Sequence, residues 1–516
     1  MTTPAPVGRS APGRSAASDD RRPTGSTRTL IRLAIIAMAL LLLVVGVSRA
    51  EAGYRDLMGF PELEALLGSN VPTGFGIGVT HVESAPSTGH NEFNGKFFVN
   101  VSEASTSTHA TRVGRNFYGN NTSIAPGIGL DEDNPIRLYS FSDWVQSDFL
   151  RLGQNALPLQ TNSRVANHSY IAATDFDSEL LRRFDYVVER DDYIQVAGVN
   201  NGSTSSNQPL WSSAYNVISV GVTNGNHATG TAGVDSTYTA GRVAPTLVTP
   251  GYRHDDNEIA TSWATPMVSA AVALLLETGQ DASLSNNNTI TNRTREINHA
   301  ETSEIIRAVL MAGADRYVIN PRGDSLTDYT ADTTNNLDSR YGAGQMNIYN
   351  SYRILAGGEQ DAGSTITTHG WDYNPAFGGD NGTASEASYF FTPGSASETE
   401  LLASLVWNLD VNITPGIGPF PATFSEVLHN LDLFLYDVTL GEVLLDSSES
   451  TIHNSEHIWF DGLLVGRDYE LRVVANGTFE WDYGLAWQII PEPGTGALLL
   501  TVTLLAFRRS RRPRAA

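Results

Sequence analysis

Between residues 76 and 277, apolar β-rich runs alternate with helical segments, and this order constrains the fold more than any other feature of the chain. Gly76–Glu83, Arg164–Ile171, Tyr193–Val199 and Asn216–Val222 read as strands. Ala104–Phe117, Asp143–Leu152, Ser178–Arg190 and Ser262–Glu277 read as helices. Strands this apolar need cover, and alternating strands and helices supply it as a mostly parallel sheet with helices packed against it. The expected class is therefore α/β, a doubly wound, mostly parallel sheet.

From about Gly363 the texture changes. Gly, Ser, Thr and Asn dominate and helical patterns stop. Leu401–Trp407, Leu431–Asp437, Glu442–Leu445, His457–Phe460, Tyr469–Val474 and Tyr483–Ile489 are short alternating runs. Six such runs with turn residues between them predict a small all-β sandwich over residues 363–490. The boundary falls within residues 358–372.

The chain has 516 residues, enough for two or three domains. Apolar residues make up 41% and charged residues 17%, which excludes disorder for most of the length. No cysteine is present, so disulfides, thiolate nucleophiles, zinc ribbons and iron–sulfur clusters are excluded. The formal charge is −23. Residues 1–52 hold seven Arg and three acids, and residues 491–516 hold five Arg and one acid. The middle is left with 21 basic and 52 acidic residues, a balance of −31. Such a surface repels nucleic acid and anionic lipid, so no nucleic-acid partner is expected. It favours solubility, and it tolerates salt well because self-repulsion is then screened.

Both ends read as addresses. Residues 1–32 are rich in Pro, Ser and Arg, and Leu33–Val47 is an uncharged apolar run of 15 residues. Ser48-Arg49-Ala50 and Ala50-Glu51-Ala52 both fit a small-x-small cleavage site. That succession describes a secretory signal peptide over residues 1–52. A membrane anchor is the alternative, but the run falls short of the ~20 residues that span comfortably. At the other end, Pro491-Glu492-Pro493 precedes the apolar stretch Ala497–Phe507 and then Arg508-Arg509-Ser510-Arg511-Arg512. A short apolar run followed by arginines halts in a membrane with its basic end in the cytoplasm. The whole of residues 491–516 resembles the PEP-CTERM sorting signal of Gram-negative bacteria. That resemblance implies processing by an exosortase, transient attachment to the inner membrane, and a product at the cell surface or in the extracellular matrix.

The chemistry sits in four short segments. Ala260-Thr261-Ser262-Trp263-Ala264-Thr265-Pro266 opens the helix at Ser262. A serine hydroxyl needs a base to become a nucleophile, and a helix N-terminus stabilises a developing oxyanion. Pro266 is expected in the first turn, where its missing N–H has no helical partner. A Ser N-cap is common, so this segment alone favours neither catalysis nor capping. Thr108-His109-Ala110-Thr111-Arg112-Val113-Gly114 offers His109 as a base at a helix start, since neutral imidazole accepts a proton near neutral pH. Val79-Thr80-His81-Val82-Glu83-Ser84 ends a strand on a carboxylate, with a purely structural Glu83 beside His81 as the bland reading. Val196-Ala197-Gly198-Val199-Asn200-Asn201-Gly202 ends a strand on side-chain amides, for which an Asn-rich turn is the ordinary explanation.

Together these segments resemble the subtilisin-like serine peptidases. The first is similar to that family's Gly-Thr-Ser-x-Ala-x-Pro motif, with Ala260 for Gly. The second is similar to His-Gly-Thr-His-Val-Ala, with Ala110 for Gly and Arg112 for the second His. The third places Glu83 where the family carries Asp. The fourth is similar to Ala-Ala-Gly-Asn-x-Gly, with Asn200 at the matching spacing and Asn201 one position away. Ile124-Ala125-Pro126-Gly127, Asn216-Val217-Ile218-Ser219-Val220-Gly221-Val222, Ala244–Gly251 and Tyr341-Gly342-Ala343-Gly344-Gln345-Met346-Asn347 continue the likeness in family order. Val165-Ala166-Asn167-His168-Ser169-Tyr170 resembles the substrate-binding edge strand, which implies Ser169 and Tyr170 as substrate contacts.

The resemblance implies a catalytic domain over residues 53–362 that acts on protein or peptide substrates. Ser262 is the implied nucleophile, His109 the base, Glu83 the orienting acid and Asn200 (alternatively Asn201) the oxyanion donor. No cofactor is required for that chemistry and no catalytic metal is implied. Asp432, Asp437 and Asp446 are candidate ligands for a structural calcium, although a solvated acidic edge is the plainer reading without EF-hand spacing. About 20 residues separate Ala52 from the first strand, which leaves no room there for the long folding propeptide of many secreted relatives. The competing function is an inactive subtilase-like binding or matrix protein, with the sandwich contacting a partner or an extracellular polysaccharide.

Overall fold

Seven strands build the central sheet: β1 (Val79–Glu83), β2 (Phe98–Asn100), β3 (Ile136–Ser140), β4 (Val165–His168), β5 (Ile194–Gly198), β6 (Ile218–Val222) and β7 (Leu247–Thr249). Their order is β2-β3-β1-β4-β5-β6-β7, and every pairing is parallel. The computed structural model describes residues 54–170, 178–205, 211–291, 295–320, 324–378, 385–395, 398–418 and 420–490. The proposed signal peptide and the Pro-Glu-Pro tail lie outside these residues. Among the described residues no helix is long and apolar enough to cross a membrane.

Strands β1, β4, β5, β6 and β7 are buried along their whole length, as a sheet covered on both faces requires. Alternate side chains enter two separate cores. Val79 and Val196 join one, with the central helix, while Val82 and Ala197 join the other, with Trp144, Phe184 and Trp211. The helices are α1 (Phe60–Leu67), α2 (Thr108–Tyr118), α3 (Ser178–Asp191), α4 (Thr261–Gly279), α5 (Ser303–Ala312) and α6 (Ile348–Ala356). Helix α4 is apolar all round and packs along β4, β5 and β6. Each fully buried Val, Leu or Met on it contributes roughly 1.5–3 kcal/mol of transfer free energy. This is the doubly wound, mostly parallel α/β sheet expected from the sequence.

Several local expectations are corrected. Strand β4 (Val165–His168) runs between β1 and β5, so it is interior and not an edge strand, and Ser169 and Tyr170 follow its end. Pro266 is the sixth residue of α4, not part of its first turn, so the Ser262 carbonyl lacks the helical N–H that residue 266 would otherwise donate. The helix expected over Asp143–Leu152 is one short turn, Phe141–Asp143, followed by a π turn, Trp144–Asp148. There the Leu150 N–H reaches the Trp144 carbonyl at 2.8 Å, and Phe149 and Leu150 turn into the core.

Beyond a small hairpin of β8 (Thr289–Thr291) and β9 (Glu296–Asn298), the strands are antiparallel. One sheet has the order β10-β19-β12-β17 and the other β11-β18-β15-β16. Their ranges are β10 His369–Phe377, β11 Glu386–Phe391, β12 Glu400–Val406, β15 Leu431–Asp437, β16 Val443–Ser448, β17 Ser455–Phe460, β18 Tyr469–Ala475 and β19 Trp481–Ile490. Tyr389, Trp407, Leu433, Leu471 and Trp487 share one core between the two sheets. A further hairpin, β13 (Asp410–Thr414) and β14 (Thr423–Val427), lies against α3.

Candidate active site

The strand order changes side at β1: β2 and β3 lie on one side of it, and β4 to β7 follow in order on the other. In open α/β sheets the ligand crevice opens at the carboxyl ends of the strands flanking such a change. Glu83 is the last residue of β1, and His109 is the second residue of α2. Ser107 fixes that helix start, because its hydroxyl accepts the His109 N–H at 3.0 Å and the Ala110 N–H at 3.3 Å.

Glu83 is 8% exposed, and its Oε1 lies 3.0 Å from Nδ1 of His109. The extra methylene relative to Asp therefore does not prevent the acid from reaching the imidazole. Burial pushes the Glu83 carboxyl up, but the hydrogen bond from His109 and the nearness of His81 outweigh it and leave the group below its ordinary range. Burial pushes His109 down, while the hydrogen bond and charge of Glu83 raise it, with a net rise. Arg112 Nε donates to Asp255 at 2.7 Å and ties α2 to the loop before α4.

Ser262 is the second residue of α4 and half-buried. Helices α2 and α4 are locked together beside it, since Asn116 Nδ2 donates to the Trp263 carbonyl at 3.0 Å. The Trp263 ring lies 5.0 Å from that of His109, centroid to centroid. Among the described residues, no hydrogen bond joins the Ser262 hydroxyl to His109. Such bonds are often open in resting sites and close on a bound substrate.

The two amide candidates differ in what they touch. The carboxamide oxygen of Asn201 accepts the Thr261 N–H at 2.9 Å and the Thr261 hydroxyl at 3.1 Å, immediately before Ser262. Asn200 Oδ1 instead accepts the N–H of Asn201 at 2.8 Å. Asn201 thus caps α4, which has no side-chain cap of its own from Ala260. Gly198 makes this approach possible: a Cβ there would lie 2.7 Å from the Thr265 hydroxyl.

A cleft of about 570 Å³ opens beside the Glu83–His109 pair, and Glu103, Phe141, Asp143 and Tyr170 also line it. Tyr170 accordingly stands at the cleft, with its hydroxyl 3.0 Å from His168 Nδ1. Ser169 is 2% exposed, and its hydroxyl accepts from Asn167 at 2.9 Å. Sequence reasoning passed over Tyr118, whose hydroxyl lies 2.9 Å from Nδ1 of His81. Nothing in the local pattern marks it, because its partner stands 37 residues earlier.

The three candidate calcium ligands have other partners. Asp437 pairs with Arg467, Asp432 accepts from Asn476, and Asp446 accepts the Ser447 N–H at 2.9 Å. Among the described residues, the group that could hold a cation is Glu189, Glu304 and Asp482, with donor atoms within 4.8 Å of one another. Burial and the neighbouring carboxylates raise Glu189 and Glu304 well above their ordinary range, and burial and the charge of Asp192 raise Asp482.

Residues 102–344 match the model of the subtilase family, Peptidase_S8. The match spans His109, Asn200, Asn201 and Ser262 and begins after Glu83. No curated protein matches the chain. Similar solved structures include the prenylagaramide maturation protease PagA, at 19% identity over 57% of this chain and 98% of that one, with a TM-score of 0.34. The PatG macrocyclase domain is 14% identical over 58% of this chain and 96% of that one, with a TM-score of 0.37. A protease from Pseudoalteromonas arctica is 13% identical over 57% and 94%, with a TM-score of 0.38.

Proposed function

We propose that the chain is an exported serine endopeptidase working through a Glu83–His109–Ser262 triad. The observation that carries this reading is the 3.0 Å contact between Glu83 Oε1 and His109 Nδ1, on a helix locked to the one that carries Ser262 in its first turn. Glu83 holds Nδ1 protonated, which leaves Nε2 as the acceptor. Ser262 Oγ attacks the scissile carbonyl as its proton passes to Nε2, and Glu83 stabilises the imidazolium. The oxyanion is bound by the Ser262 N–H and by the Asn201 amide, which the contact with Thr261 favours over Asn200. His109 then protonates the leaving amine. Water, deprotonated by the same imidazole, releases the acid product from the acyl-enzyme. Peptide substrates enter along the cleft lined by Tyr170. The compositions of the two ends support export from a Gram-negative cell, with an exosortase as processing partner and the cell surface or matrix as destination.

A second reading, a binding or matrix protein on an inactive subtilase domain, is favoured by the open Ser262–His109 contact. Reaction with a fluorophosphonate separates the two. The proposed function predicts one adduct, mapped by mass spectrometry to Ser262 and absent from Ser262→Ala. Folded protein that forms no adduct would contradict the peptidase reading.

A further inference from the structure

Glu83 lies between two imidazoles. Its Oε1 meets His109, and its Oε2 lies 3.6 Å from Nε2 of His81. His81 stands two residues earlier on β1 and so on the same face of the strand. It is 1% exposed. Neither Oε2 of Glu83 nor Nε2 of His81 has a hydrogen-bond partner among the described residues. Each is the other's nearest relief from burial, at a separation longer than a full hydrogen bond.

The far side of His81 fixes which nitrogen carries the proton. The Tyr118 hydroxyl lies 2.9 Å from Nδ1 and is fully buried. Burial and the Glu83 charge raise that hydroxyl well above its ordinary range, so it keeps its proton. With the hydroxyl donating to Nδ1, the imidazole proton sits on Nε2, toward Glu83. The tyrosine ring is held by Phe93 and Phe98, with centroids at 5.2 and 5.9 Å. Gly114, one helical turn before it, leaves the space: a Cβ there would lie 2.5 Å from the hydroxyl.

We propose that His81, with its tautomer set by Tyr118, is a positioning residue that anchors Oε2 of Glu83 and so presents Oε1 to His109. In this arrangement Tyr118 O–H donates to His81 Nδ1, His81 Nε2–H faces Glu83 Oε2 as a charge–dipole contact at 3.6 Å, and His109 Nδ1–H donates to Glu83 Oε1. A strand-end Glu has one more rotatable bond than Asp, and this anchor removes the added freedom. The catalytic consequence rests on the serine-peptidase reading above. The anchor itself does not.

The test uses the full chain with ¹⁵N-labelled histidine. In the wild-type protein, His81 is expected as the Nε2–H tautomer, and His109 Nδ1–H is expected to give a far-downfield proton resonance. Tyr118→Phe removes one hydroxyl and should let His81 populate the other tautomer and shift the His109 resonance upfield. His81→Leu should shift it further, while His81→Gln, which keeps an N–H donor, should restore it. Fluorophosphonate labelling of Ser262 should slow about 10- to 100-fold in His81→Leu, the usual cost of losing an outer orienting partner, and recover in His81→Gln. A wild-type His81 protonated on Nδ1, or a His109 resonance unmoved in His81→Leu, would overturn the proposal. Wild-type protein that resists labelling refutes the peptidase reading alone, and the imidazole signals then still decide the anchor.

Discussion

Glu83 and His109 stabilise each other's charged forms, and this has consequences for rate and stability. His109 is raised above the ordinary imidazole value of 6.5, and catalysis needs it neutral. The acid limb of kcat/KM is therefore expected above pH 6.5, and a limb below 6.5 would contradict the pairing. The stability His109 contributes is present below pH 6.5 and is lost as pH rises through its folded value. For Glu83, lowered from 4.5, the contribution is present above 4.5 and is lost as pH falls through its folded value. Glu83→Gln keeps the shape but loses the charge that favours the Nδ1–H tautomer, and should lower kcat by about 10⁴ with little change in melting temperature. Asn201→Ala should lower kcat about 10²- to 10³-fold, and Asn200→Ala much less, as read by steady-state kinetics. At this scale the Glu83–His109 contact was legible because both residues stand in short motifs. That Asn201, and not Asn200, meets Thr261 was not, because it depends on how the two carboxamides are turned.

Elements with apolar runs long enough to show their period were legible: β1, β5, β6, α3 and α4 lie where the sequence places them. The three-residue strand β2 and the five-residue β3, with Arg137 and Tyr139 in its middle, carry too little pattern to be read alone. Helix α5 was missed too. It is buried along its whole length, including Glu304 and Arg307, so its charged residues mask the apolar period. The end of β5 and the start of α4 fit together through Gly198. Gly198→Ala would force its methyl group against the Thr265 hydroxyl, at an expected cost of roughly 1–3 kcal/mol in denaturant unfolding. An unchanged unfolding midpoint would show that this approach is looser than described.

Over the whole molecule, the antiparallel sheets are not a loose appendage to the parallel one. Trp371, Tyr373, Val406 and Ala486 join the same apolar core as α4 and α5. Trp371 Nε1 donates to the Leu355 carbonyl at 2.9 Å, Gln488 Nε2 to Ala312 at 2.7 Å, and Arg307 to Asn454 at 3.2 Å. A Cβ on Gly484 would lie 2.9 Å from the backbone of Glu304. A chain ending at residue 362 would expose one face of α5 and leave Arg307 without Asn454, and is expected to be recovered as aggregate. A soluble, cooperatively unfolding product of that length would contradict this account. The sandwich was foreseen from its short alternating runs, but its contact with α5 was not, since no local period records which outer face meets a helix.

The most direct test is hydrolysis of unfolded casein by the purified protein above pH 7, beside Ser262→Ala. Cleavage by the wild-type protein and none by the variant is the predicted result. Equal cleavage by both, or none by a folded wild-type protein, would contradict the assignment of Ser262 as nucleophile.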